Sequence, residues 1–157
     1  MHRFHVRTRS RVAIAVIASC LAALLSGCGD DPGPLPGACG EGDQALLTAL
    51  RSAPGQVRLG HAHLSDCLQK GASGDQLQLV GTGFVEAASR LSAQARHEPE
   101  GRAALELGYL VAAAHRGGAH TQCVHDELLR RLDQEANSID TRSRAYRRGA
   151  RAGRAAG

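Results

Sequence analysis

The chain has 157 residues, which is enough for one domain of ordinary size. Its 19 Lys and Arg against 15 Asp and Glu give a net charge of +4. The charge is uneven, because four arginines precede the first apolar run and six follow Asp140, where no acid occurs. With two Tyr, two Phe and no Trp, the chain lacks the aromatic faces on which sugars and single-stranded nucleic acids stack, so we expect no nucleic-acid partner.

The N-terminal segment has the pattern of an export signal. Residues 1–11 carry four Arg and no acid, and an apolar run from Val12 to Leu25 follows, interrupted only by Ser19 and Cys20. This run is shorter than the roughly 20 apolar residues that a membrane-spanning helix needs. A basic start, a short apolar run and small residues after it are typical of a secretory signal peptide, which we assign to residues 1–27.

The junction Leu25-Ser26-Gly27-Cys28 resembles the lipobox of bacterial lipoproteins, in which a large aliphatic residue and two small residues precede a cysteine. The resemblance implies that the Cys28 thiol carries diacylglycerol, with palmitate-type chains, and that Cys28 becomes the mature N-terminus. The protein would then be exported and lipid-anchored to the extracytoplasmic face of the cell membrane. The alternative is a plain secretory signal cleaved nearby, which leaves Cys28 free for a disulfide.

The segment after the junction is rich in Gly and Pro, and we predict a flexible linker over residues 28–42. A short helix is expected from Asp43 to the Pro54-Gly55 break, and Ser65 is expected to cap a second short helix through Cys67 and Leu68. Between them, residues 56–64 show no clear period and are expected to be extended or a loop.

Apolar residues recur at three- and four-residue steps further along the chain, which is the pattern of amphipathic helices. Three long helices are predicted over residues 73–95, 99–118 and 121–139. Beside Pro99, Glu98 and Glu100 are expected to complement the dipole of the helix that follows. No segment alternates well enough to predict a strand. The predicted fold is therefore all-α, a small up-and-down helical bundle over residues 43–139 of three long and one or two short helices.

Residues 140–157 contain six arginines and almost no apolar side chain beyond alanine, so we predict a disordered C-terminal tail. Such a tail is suited to anionic lipid headgroups or anionic surface polymers. The alternative is a soluble end without a partner.

Three cysteines remain once Cys20 leaves with the leader and Cys28 is acylated, namely Cys39, Cys67 and Cys123. Two of them should pair in an oxidising compartment. We favour Cys39 with Cys67, which would fix the end of the linker to the short second helix. Cys67 with Cys123 is the alternative, and the odd thiol is either buried or available for an intermolecular bond.

Four residues are candidate metal ligands. His120 and Cys123 are three residues apart and would share a helix face, and His61 and His63 would complete a tetrahedral zinc site from the preceding loop. The alternative assigns these histidines to capping and to the surface. The chain has no nucleophile elbow, no phosphate-binding glycine loop after a strand and no H-E-x-x-H, so we expect no enzymatic activity and no cofactor.

The segments "LSDCLQ", "LGYLVAAAHRGG" and "HDELLRRLDQEA" resemble small exported helical proteins of high-GC bacteria without an assigned activity. This resemblance transfers no catalytic residue. The sequence thus predicts a membrane-anchored lipoprotein with a binding or structural role at the cell envelope, where an envelope protein or an anionic surface is the partner. A metal- or haem-binding envelope protein that uses His and Cys is the alternative function.

Overall fold

The computed structural model describes residues 35–69, 74–119 and 125–157. A 3₁₀ helix at Gly37–Gly40 precedes α1 (Asp43–Leu50), and a two-stranded hairpin of β1 (Arg58–Leu59) and β2 (Ala62–His63) follows. The remaining elements are all helices: α2 (Asp66–Gln69), α3 (Gly74–Ala95), α4 (Arg102–Gly118), α5 (Asp126–Asn137) and α6 (Arg144–Ala156). The predicted all-α bundle is confirmed.

Helices α3 and α4 form the centre of the bundle, and α1, α5 and α6 pack around them. Phe84 and Leu91 of α3 and Leu107 and Leu110 of α4 are almost fully buried, in agreement with the apolar periodicity of both segments. Tyr109 is also buried, and its hydroxyl oxygen accepts a hydrogen bond from the Val57 backbone N–H at 3.2 Å. The segment after α1 is thereby fixed to the central helix.

The small hairpin is the one β element of the described residues, and the sequence analysis predicted no strand. It is antiparallel, with Arg58 opposite His63 and Leu59 opposite Ala62. The two-residue connection contains Gly60 at a φ of 59°, a conformation that glycine adopts without strain. Because each strand has only two residues, alternation is too short to be detected in the sequence.

The predicted linker 28–42 is wrong in its second half. Cys39 lies in the 3₁₀ helix, is only 2% exposed, and forms a disulfide with Cys67 of α2, with 5.5 Å between the two Cα atoms. This pairing is the one that the sequence analysis favoured. The signal peptide and residues 28–34 lie outside the described residues, as does Cys123.

The predicted disorder of residues 140–157 is also wrong, because α6 covers most of this segment. The helix packs on α4 through glycines rather than through large apolar side chains. A Cβ atom at Gly149 would overlap the Leu105 carbonyl oxygen, and one at Gly153 would overlap the Tyr109 carbonyl oxygen. Backbone against backbone packing brings many atoms into contact without Leu, Ile or Val, so hydrophobic content underestimates the order of this segment.

Candidate functional site: the arginine face of the C-terminal helix

One surface of α6 is strongly basic. Five arginines of this helix are exposed, whereas Gly149, Ala150 and Gly153 are buried against α4. At 3.6 residues per turn, the five side chains fall within an arc of about 120°. We call this surface the arginine face; it consists of Arg144, Arg147, Arg148, Arg151 and Arg154.

The charges of the arginine face are not neutralised within the described residues. Every ion pair or carboxylate contact found there uses other basic residues: Arg90 with Asp43, Arg102 with Glu106, His115 with Asp133, and both Arg130 and Arg131 with Glu127. Helix α6 itself contains no Asp or Glu. Five positive charges therefore face solvent along one helix.

The N-terminal end of α6 is capped by two side chains. Ser143 is the N-cap, and its hydroxyl oxygen accepts a hydrogen bond from the Tyr146 N–H at 3.1 Å. The Glu100 carboxylate accepts hydrogen bonds from the N–H groups of Arg144 and Ala145 at 3.0 and 3.1 Å. Glu100 was predicted to complement the helix that follows it directly, but it complements the dipole of α6 instead, which lies far away in sequence.

A cleft of about 280 Å³ lies where the start of α4 meets the start of α6. Its lining includes three arginines and one acid, namely Arg102, Arg144, Arg148 and Glu100. Arg102 is held by Glu106 and by the carbonyl oxygens of Arg51 and Ala53. The cleft is open to solvent and continues the positive surface of the arginine face.

The C-terminal end of α6 is held by three side chains from elsewhere in the fold. The Arg116 guanidinium donates to the carbonyl oxygens of Arg154 and Ala155, and the Ser65 hydroxyl donates to that of Gly157 at 2.7 Å. His63 Nδ1 lies 3.0 Å from the Ala156 carbonyl oxygen. Orphan carbonyls at a helix end need such partners, so the whole length of α6 is fixed.

Aromatic packing supports the inner side of α6. Burial, together with the charge of Asp133, raises the pKa of Tyr146, which keeps its phenol neutral. Burial likewise raises the pKa of Tyr109 on the facing helix. The Tyr146 ring therefore lies on the uncharged side of α6, opposite the arginine face, whereas the Tyr109 ring is buried and reaches the Val57 backbone.

The candidate metal ligands are not brought together in the part of the chain that is described. His61 is exposed in the turn of the hairpin, while His63 contacts the end of α6. His120 and Cys123 lie outside the described ranges. In residues 35–69, 74–119 and 125–157, no three His, Cys, Asp or Glu side chains are grouped closely enough to hold a metal ion.

The six arginines are evident in the sequence, but the helix that arranges five of them was not predicted. The signal that would have found it is the four-residue spacing of Gly149, Gly153 and Gly157, together with five arginines that all fall on the opposite side of a helix. A search for Leu, Ile and Val periodicity passes over this pattern, because glycine contributes no apolar side chain.

Comparisons with known proteins give no family or relative for this chain: no protein-family model, curated protein or solved structure matches it. None of the described helices combines the length and the apolar character that crossing a bilayer requires.

Proposed function

We propose that the protein is an exported lipoprotein that works at the extracytoplasmic face of the cell membrane through binding rather than catalysis. The observation that carries the proposal is the Cys39–Cys67 disulfide, because such bonds persist in oxidising compartments and are rare in the cytosol. It agrees with the export signal and with the lipobox-type sequence at Cys28.

The role in binding rests on the arginine face. It is an ordered, uncompensated surface on a helix whose two ends are both held by side chains of the same domain. A rigid array of charges loses less conformational entropy on binding than a disordered tail would, which favours an interaction surface. The acyl chains on Cys28 would keep this surface close to the membrane and to other envelope components.

The anchor is tested by intact-mass measurement of the product made in a bacterial host that processes lipoproteins. We expect cleavage before Cys28 and the added mass of a diacylglycerol with fatty acid. The Cys28→Ala chain should lose this mass, and once its leader is removed it should leave the membrane fraction in a 1 M salt wash. At this salt concentration the Debye length is only about 3 Å, so electrostatic binding to the membrane is screened. Cys20→Ala is the matched control, because Cys20 lies inside the predicted leader and its loss should change neither readout.

An unmodified Cys28 in the parent protein would overturn the proposal. So would a Cys28→Ala chain that has lost its leader and still stays with the membranes through the salt wash as the parent does, because the anchor would then lie elsewhere in the mature chain.

A further inference from the structure

We propose that the arginine face docks on the surface of an anionic phospholipid bilayer and forms a second attachment beside the lipid on Cys28. This inference rests on the proposed function, since it places the domain at a membrane. It adds the partner of the arginine face and the orientation that the domain takes at the bilayer, with α6 lying parallel to the membrane surface.

The first argument is charge. The five guanidinium groups extend over roughly 15 Å of helix, at a rise of 1.5 Å per residue. None of them forms an ion pair with a carboxylate of the described residues. Guanidinium pairs with phosphate oxygens through two parallel hydrogen bonds, and several phosphodiester headgroups fit along a row of this length.

The second argument is the kind of side chain that the arginine face lacks. Among the described residues, the only strongly exposed large apolar side chain is Leu79, which belongs to α3 and not to α6. The single aromatic residue of α6, Tyr146, is half-buried on the side that packs against α4. The face therefore has nothing to insert among acyl chains or to stack on bases, and it suits contact with a layer of headgroup phosphates.

The third argument is the position of the tether. The described domain begins at Leu35, seven positions after Cys28, and a chain of this length reaches at most about 25 Å. Cys39 is bonded to Cys67, and two residues before Cys67 the Ser65 hydroxyl donates to the carbonyl oxygen at the end of α6. The chain from the lipid thus enters the domain close to the C-terminal end of the arginine face.

A diacylglycerol on Cys28 supplies two acyl chains, which already give stable anchoring, so the arginine face sets the orientation of the domain rather than its retention at the membrane. Each arginine near an anionic surface raises the membrane partition coefficient by a factor of about five, and the factors of several arginines multiply. The arginine face would therefore hold the domain flat on an anionic bilayer and leave it free to swing on its tether above a neutral one.

The test compares full-length chains on vesicles of phosphatidylcholine alone and of phosphatidylcholine with 25% phosphatidylglycerol. The variant is Arg147→Gln/Arg148→Gln/Arg151→Gln. The matched control is Arg90→Gln/Arg130→Gln/Arg131→Gln, which removes the same charge from exposed arginines that are already paired with carboxylates. Leader and tether are common to all chains, so the ratio between variants isolates α6.

We expect the α6 variant to lose on the order of 100-fold in partitioning onto the anionic vesicles relative to the control variant, with little difference on neutral vesicles. Urea unfolding should give both variants the same free energy of unfolding as the parent, which establishes that α6 stays folded. In the parent, a nitroxide on the lipid headgroup should broaden the Arg Nε–H NMR signals of α6 and spare those of Arg130 and Arg131.

Equal partitioning of the two variants, or equal broadening of both sets of arginines, would overturn the inference. So would an arginine face that binds soluble polyphosphate but does not distinguish the two vesicle compositions, because the partner would then be a free polyanion. These readouts do not require acylation, so a failure here is separate from a failure of the Cys28 anchor.

Discussion

At the scale of single residues, the burial of His125 makes the stability of the fold depend on pH. It precedes α5 directly and is only 5% exposed. Burial lowers the pKa of the imidazole below its usual 6.5, although the neighbouring Asp126 carboxylate opposes the shift. The unfolded chain therefore binds a proton at this site at a higher pH than the folded chain does.

We expect the free energy of unfolding to fall as the pH is lowered through 6.5 toward the folded-state pKa of His125, by less than about 1.4 kcal/mol per pH unit. Above pH 6.5 both states are neutral at this residue, so the effect vanishes. The measurement is urea unfolding between pH 5 and 8. His125→Gln should flatten the profile, whereas His97→Gln, at an exposed position, should keep it. Parallel profiles for His125→Gln and the parent would contradict this assignment.

At the scale of elements, the contact between α4 and α6 shows how a segment rich in Arg, Gly and Ala becomes ordered. Gly108 of α4 faces the Tyr146 carbonyl, while Gly149 and Gly153 of α6 face carbonyls of α4. Small residues at four-residue spacing allow two helix backbones to approach closely, as they do in membrane helices. Dispersion between backbone atoms then replaces the burial of large side chains.

Gly153→Ala should destabilise the fold by about 2 kcal/mol or more, because the added methyl group overlaps the Tyr109 backbone and overpacking typically costs 1–3 kcal/mol. Gly81→Ala in α3 is the control, since a Cβ there meets nothing within 4 Å. It should stabilise by about 0.5–1 kcal/mol through helix propensity. Urea denaturation measures both, and equal effects of the two substitutions would refute close packing at Gly153.

How far the sequence predicts this fold depends on what kind of contact orders each element. Leu, Val and Phe at helical spacing mark α3 and α4 well, and the structure has both helices within a few residues of the predicted bounds. The 3₁₀ helix at Cys39 depends on a disulfide to a residue 28 positions away, and α6 depends on backbone contacts with α4. Both contacts join residues that are distant in sequence. The local composition therefore predicts a linker where the 3₁₀ helix lies and a disordered tail where α6 lies.

At the scale of the molecule, the Cys39–Cys67 disulfide closes the N-terminal part of the fold. Both cysteines are buried, and the bridge fastens the segment before α1 to α2. Helix α2 in turn lies against α4, where Gly117 is in close contact with Ser65 and Leu68. The bridge thus connects the entry of the chain with the region that holds the C-terminal end of α6.

Replacing both bridge cysteines, as Cys39→Ser/Cys67→Ser, should lower the free energy of unfolding by about 3–4 kcal/mol, the value that the chain-entropy model gives for a loop of this length. Chemical denaturation of the variant and of the parent, without reductant, measures the difference. Cys123→Ser is the control and should retain the bridge. A loss of the same size in Cys123→Ser would mean that Cys123 takes part in the bonded pair.

The contact of α6 with the rest of the domain has a consequence for how this protein can diverge. Helix α6 packs on α4 through glycines, which have no side chain. Its exposed positions are different residues, so they can change independently of the packing. Homologues should therefore keep Gly149 and Gly153, while the outward positions are free to vary. Substitutions at the outward positions of α6 can therefore change what this surface binds without disturbing the packing of α6 on α4.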